Sequence, residues 1–386
     1  MKQKLHIAID GNEANVENRV GSNVYAFELL TAFAELIKDE RTIEVTVLLS
    51  SEAIKDLPRQ RKRWNYLTIT PQKLWTQWAL PIHLFLHKDR YDILFTPGHY
   101  APRVSSIPYI SSVMDVAFLS FPEQFKKRDL LQLKNWTSYS AKNAKKVVAI
   151  SNHTKQDVLT HYGRKSEDVV IIPPAVSSPN FSPTNKQGSE VSKKFGITDP
   201  YIIHIGTIQP RKNILRLIEA YEKTIRKMAA SKSKFARKYQ LVLVGKVGWL
   251  ADPIMNRIQK SPFAKDIIIT GFVTQEEKFT LLKFAQCSVH VGLYEGFGIP
   301  PLESLHMGSI PIVSNTTSLP EVIGDAGITA DPYNVDDIAS ALETILTLSA
   351  KEKAKLRRLG RDQIKQFSWA KSAQVLLETI QNAATA

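Results

Sequence analysis

Ser288-Val-His-Val-Gly-Leu-Tyr-Glu295-Gly-Phe-Gly298-Ile-Pro-Pro-Leu-Glu303-Ser-Leu-His-Met-Gly-Ser-Ile-Pro-Ile312 is the stretch on which the fold turns. A short apolar run leads into a loop holding Glu295, Gly296, Phe297 and Gly298, and a helix starts near Pro300. The order is strand, Gly-rich turn, helix N-terminus. The first amides of a helix have no partner within it and carry the positive end of its dipole, so such a turn suits an anion. Pro300 or Pro301 fits the first helical turn, where a missing N–H costs nothing. Glu303 follows Glu295 by eight residues, one carboxylate in the loop and the other early in the helix. On these residues alone a plain tight turn, with Glu303 serving only its helix start, is the more ordinary reading.

The same alternation recurs outward in both directions. Strands are expected over 201–206, 240–244, 266–270, 288–291 and 310–314, and nearer the N-terminus over 5–9, 45–49, 66–70, 91–96, 108–113, 147–150 and 169–172. Segments of helical apolar spacing, such as 24–37 and 213–228, separate them. Short apolar strands alternating with helices indicate parallel-sheet α/β domains, doubly wound and Rossmann-like. A stretch rich in Ser, Pro, Asn and Gly over 177–189 divides the series. The expected organisation is an N-terminal domain over 1–178, a linker and entry segment over 179–199, and a second domain over 200–368. Ser368-Trp369 interrupts the C-terminal helices, letting residues 369–386 return to the first domain. A chain of 386 residues is the length of two such domains. The ligand is expected in a cleft between them.

Composition narrows the function. Apolar content of 43% and charged content of 23% are those of a globular protein with sizeable cores. The net charge of +14 favours anionic partners: phosphorylated ligands, an anionic membrane surface or nucleic acid. Residues 1–185 hold 24 Lys and Arg against 18 Asp and Glu, and residues 186–386 hold 27 against 19. With the excess spread over both halves and no basic tail, nucleic acid is not expected. The single cysteine, Cys287, allows no internal disulfide or cysteine metal cluster, which suits a reducing compartment. The N-terminal residues lack the apolar core of a signal peptide, and no apolar run is long enough to span a bilayer. A cytoplasmic protein, peripheral on the inner membrane face at most, is expected.

Several residues stand where α/β sheets bind ligands, at strand C-terminal ends. Gly21 lies in the loop before the first helix, where backbone can approach a phosphate or an acceptor group. His99, Asp115 and Ser151 follow three strands of the first half. Each also has a structural use, as a capping His, a loop-bonded Asp and an N-cap Ser. Arg59-Gln-Arg-Lys-Arg63 followed by Trp64, with Trp75 and Trp78 beyond, is expected to be a solvated loop and then a core-packed helix, with contact to an anionic bilayer the other reading.

Three segments in order, Ile205-Gly-Thr-Ile-Gln-Pro-Arg211-Lys212-Asn213, Gly271-Phe-Val273 and Glu295-Gly-Phe-Gly-Ile-Pro-Pro-Leu-Glu303, resemble the retaining glycosyltransferases of family 4. The resemblance runs along nearly the whole chain and implies the GT-B fold, two Rossmann-like domains facing across a cleft. It implies that Arg211 and Lys212 hold the diphosphate of a nucleotide sugar, with amides of Gly296, Phe297, Gly298 and Ile299 assisting. Glu303 would accept the ribose hydroxyls, Glu295 would orient the transferred sugar, and Val273 would meet the base through its backbone. Fixed cations and a helix terminus stabilise the leaving diphosphate without a metal. Deprotonation of the acceptor by the leaving phosphate is the usual proposal for the family, so Glu295 positions and does not attack. Many relatives carry His-Asp where this chain has Met114-Asp115, so either the alignment shifts, or Asp115 or His99 takes over the role of that His, or sugar recognition differs. Gly245-Lys-Val-Gly-Trp-Leu250 looks like the mannosyltransferase branch, so GDP-mannose is the first expected donor and a UDP-hexose the second. A glycan or polyprenyl-linked acceptor is expected. An epimerase, a phosphorylase or a non-catalytic sugar-nucleotide binder on the same fold are the alternatives.

Overall fold

In the computed structural model, residues 4–98, 100–177, 181–230 and 238–385 are described. His99 lies outside them.

Seven strands build the first sheet: β1 (Leu5–Asp10), β2 (Ile43–Leu49), β3 (Trp64–Thr68), β4 (Ile93–Thr96), β5 (Tyr109–Val113), β6 (Lys146–Ala149) and β7 (Val169–Ile171). Six build the second: β8 (Tyr201–Ile205), β9 (Gln240–Val244), β10 (Ile267–Gly271), β11 (Cys287–His290), β12 (Pro311–Ser314) and β13 (Ile328–Ala330). Their orders are β3-β2-β1-β4-β5-β6-β7 and β10-β9-β8-β11-β12-β13. The strands of each sheet pair in parallel. Both are Rossmann-like, and the order reverses between β1 and β4 and between β8 and β11. Chain leaving two such strands departs in opposite directions, which opens a crevice at their C-terminal ends.

Alternation along each strand explains the cover on both faces. In β9, Leu241 and Leu243 enter one apolar cluster with Val289 and Ile312. Val242 and Val244 enter another with Phe279 and Leu282. Ser288 of β11 pairs with Ile203 of β8, which brings His290 level with Ile205 at the strand ends.

The chain forms two compact units, one running to Pro174 and resuming at Phe367, the other Ala175–Gln366. The helix Trp369–Thr385 completes the first by packing on the helix Ser22–Leu36. The rings of Trp369 and Tyr25 lie 5.8 Å apart, and the Ser372 hydroxyl donates to the Pro173 carbonyl at 2.6 Å.

Besides β13, which is not among the expected strands, the structure departs from the sequence expectation in three places. The expected linker contains a helix, Asn185–Lys194, started by a capping box between Thr184 and Gln187. Its composition is almost wholly polar, so no apolar stripe marks it. Trp64 is fully buried at the start of β3 and does not belong to a solvated loop. The helix Ala79–Leu86 buries Leu80 and Leu84 but leaves Ile82, Phe85 and Leu86 exposed, so it is core-packed on one side only.

Candidate active site

The reversal point of the second sheet gathers the charged residues singled out above. After β8 the chain turns through Pro210–Lys212, a single 3-10 turn, into Asn213 with φ of 60°. The Asn213 amide holds this turn by donating to the carbonyls of Val291 and Pro332, at 3.0 and 2.6 Å. Chain following β11 returns to meet it, Leu293 N–H donating to the Arg211 carbonyl at 2.8 Å. Two loops far apart in sequence are therefore bonded to each other through backbone, and their side chains converge.

Lys212 Nζ donates to Glu295 Oε1, and Arg211 Nη1 lies 3.8 Å from Glu295 Oε2. Arg211 also donates to the Tyr294 carbonyl at 2.7 Å. The Ser318 hydroxyl lies 2.8 Å from the Glu295 carbonyl and 2.7 Å from that of Phe297, pinning the loop from below. Gly298 closes the loop as N-cap of the helix Ile299–Met307, with φ of 114°. A Cβ there would stand 2.6 Å from Leu319 Cδ2, so glycine is required both by conformation and by space. Pro300 and Pro301 have no N–H, which leaves the amides of Gly298 and Ile299 as the donors this helix start offers.

Glu303 is buried one turn into that helix, and Lys278 from the helix Gln275–Phe284 donates to its Oε1 at 2.5 Å. Lys278 was not singled out from sequence. It belongs to a different element whose polar spacing resembles any solvated helix face. Val273 sits just past β10, partly buried against the apolar cluster of Val244 and Phe279.

Two buried histidines lie behind the Lys212–Glu295 pair and were also missed. His204 of β8 donates from Nδ1 to the Val289 carbonyl at 2.7 Å, so in the neutral ring Nε2 carries the lone pair. Its ring centre is 5.5 Å from that of His290. The Nε2 atoms of both are buried with no hydrogen-bond partner among the described protein groups. Burial, with a smaller push from the Lys212 charge, lowers His204 to about 4. Burial and the neighbouring His204 and Lys212 hold His290 well below the usual histidine value. Both are neutral at pH 7 and add no cation beside Lys212. With Lys212, Gly292 and Glu295 they line a cavity of about 10 Å³.

The first unit places its residues separately. Gly21 is exposed, with φ of 54°, immediately before the helix Ser22–Leu36. Near it Glu13 accepts from the Ser22 hydroxyl and from Asn23 Nδ2. Asp115 follows β5, and its Oδ1 accepts from Ala117 N–H at 3.0 Å. Met114 is buried. Ser151 is buried as N-cap of the helix Asn152–Tyr162, its hydroxyl bonded to Thr154, so that oxygen is spent on the cap. Among the described residues no group of three or more His, Cys, Asp or Glu side chains is arranged to hold a metal ion.

Two Rossmann-like sheets in one chain, with cations and carboxylates at the reversal point of the second, are the arrangement of the GT-B fold. The chain belongs to glycosyltransferase family 4, whose profile matches residues 20–178, while that of Glycosyl transferases group 1 matches residues 188–363. It is 30% identical over 295 residues to O-antigen chain mannosyltransferase B of Escherichia coli, covering 76% of this chain and 73% of that one. It is 31% identical over 237 residues to the serotype-specific mannosyltransferase WbdA of Escherichia coli, 60% of this chain but only 28% of that longer protein. Among solved structures, sucrose-phosphate synthase from Thermosynechococcus elongatus superposes with a TM-score of 0.72 at 16% identity, covering 98% of this chain and 99% of that one. Anabaena HepE, solved with UDP and glucose, gives 0.71 at 15% identity, covering 98% and 100%. The family comprises retaining hexosyltransferases that are generally metal-independent and use nucleotide-sugar donors.

Proposed function

We propose that this chain transfers mannose, with retention, from GDP-mannose to a glycan or polyprenyl-linked acceptor. The observation that carries the reading is the meeting of Arg211, Lys212 and Glu295 at the β8/β11 reversal point. In the free protein the Glu295 carboxylate occupies the cations, standing where a diphosphate oxygen is needed. Donor binding exchanges one anion for another at Lys212, so the site keeps its charge balance. As the bond to the anomeric carbon breaks, negative charge grows on the leaving diphosphate, and Arg211, Lys212 and the Gly298 and Ile299 amides stabilise it. Glu295, released from Lys212, then orients the sugar hydroxyls. Glu303, already paired with Lys278, accepts from the ribose through its second oxygen. Asp115 is assigned a catalytic place beside the transferred sugar, Gly21 to the phosphates, and the 1–178 segment to acceptor binding. Mannose is favoured because both of the relatives described above are named mannosyltransferases. A UDP-hexose is second.

A thermal-shift screen against GDP, UDP, ADP and their sugars tests the donor, since a ligand stabilises in proportion to its occupancy. GDP and GDP-mannose are expected to raise the Tm most. A larger shift with UDP and UDP-hexoses would replace the proposed donor. Release of free mannose or an isomerised donor without transfer to added acceptor would replace the reaction.

A further inference from the structure

The helix Ala79–Leu86, Ala-Leu-Pro-Ile-His-Leu-Phe-Leu, carries one polar side chain in eight residues. A helix apolar on all sides is ordinarily buried on all sides. This one is not. Trp75, Leu80 and Leu84 anchor it to the first unit, and the Trp75 indole N–H donates to the Ile69 carbonyl at 3.0 Å. On the opposite side Trp78 is 61% exposed, Phe85 68% and Leu86 69%, with Leu74 and Ile82 between them. The spacing 78, 82, 85, 86 makes one continuous face. Beside it runs a groove of about 480 Å³, walled by Pro71, Leu74, Trp78, Ile82 and Leu86.

The charge along this stretch is mainly cationic. From residue 57 to residue 88 the chain holds six Lys and Arg and no Asp or Glu. Exposed Lys73 precedes the helix, and exposed Lys88 and Arg90 follow it, with Asp89 as the one flanking carboxylate. Apolar side chains aimed outward and bordered by cations match a surface with an apolar interior and anionic headgroups. A second copy of this chain matches less well, since a two-fold contact would set these cations against their like. Among the described residues no helix is long and apolar enough to cross a membrane.

We propose that the Trp78–Ile82–Phe85–Leu86 face is the surface by which this protein docks on an anionic bilayer. The helix lies in the interface, its outer side chains among the acyl chains and Lys73, Lys88 and Arg90 at the headgroups. The inference rests on this surface and not on the donor site, and holds whichever sugar is transferred.

The test is flotation of the full chain with vesicles of phosphatidylcholine alone and with phosphatidylglycerol added. The wild type is expected to float with the anionic vesicles and to stay behind with the zwitterionic ones, and salt should weaken the binding. Phe85→Ser with Leu86→Ser is expected to lower the partition constant by about tenfold or more. Both side chains are exposed, so the doubly substituted chain should keep the wild-type Tm and its nucleotide-induced thermal shift. A wild type that never floats overturns the proposal. So does a variant that floats as well as the wild type. A dimer seen by light scattering and lost in the variant, with vesicles left unbound, assigns the face to a second copy. A chain that floats yet shifts with no nucleotide overturns the donor reading and leaves this one standing.

Discussion

Glu295 sits on Arg211 and Lys212, the cations proposed to take the diphosphate, and that single contact governs how binding and turnover should separate. Glu295→Gln keeps the shape and removes the competing charge. Nucleoside diphosphate is then expected to bind about tenfold more tightly, a change of roughly 1.4 kcal/mol. Turnover is expected to fall by about a hundredfold or more, because the carboxylate no longer orients the sugar. Titration calorimetry and steady-state transfer rates read the two effects apart; a parallel fall in both would remove Glu295 from the competition. His204 sets a second expectation. Its folded value of about 4 lies below the unfolded 6.5, so the unfolded chain binds the proton first as pH drops. The stability tied to the neutral ring is present above about 6.5 and is lost as pH falls toward 4, by about 3 kcal/mol in full. Urea melts at pH 7.5 and pH 5 should show about 2 kcal/mol of this loss, and His204→Gln should reduce it.

At the scale of elements, the site is made by helices that hold charges for one another. Lys278→Ala leaves Glu303 buried without its cation and is expected to cost about 3 kcal/mol, much of it recovered by adding Glu303→Gln. Thermal melts of the single and double variants check the pairing. Gly298→Ala should destabilise by about 1–3 kcal/mol, since a Cβ meets Leu319 in a conformation side chains avoid. These elements differ in how plainly the sequence announces them. Buried parallel strands are unbroken apolar runs, so most of both sheets can be read directly, although three-residue β13 cannot. Arg211, Lys212 and Glu295 stand out because glycines and strand ends bracket them. Lys278 has no such bracket, and His204 and His290 sit inside strands where a histidine passes for core. The helix Asn185–Lys194 hides for the opposite reason, having almost no apolar side to show.

The whole molecule is two units with separate cores, and the second contains every residue of the β8/β11 site. Residues 175–366 expressed alone are therefore expected to fold and to bind the nucleoside diphosphate about tenfold more weakly than the full chain, the Gly21 backbone being absent, without transferring sugar. Calorimetry on the fragment measures this, and a fragment that folds but does not bind would place essential nucleotide contacts in the first unit.

The first unit is interrupted in sequence, and the interruption has a cost in time. Its closing helix, Trp369–Thr385, is made only after the 192 residues of Ala175–Gln366. At about 5–20 residues per second, the apolar side of the helix Ser22–Leu36 waits roughly 10–40 s on the ribosome for its cover. Over that interval the nascent chain holds an unfinished first core beside a second that can already be complete. Synthesis thus reverses the order of the units: the part that begins first is finished last.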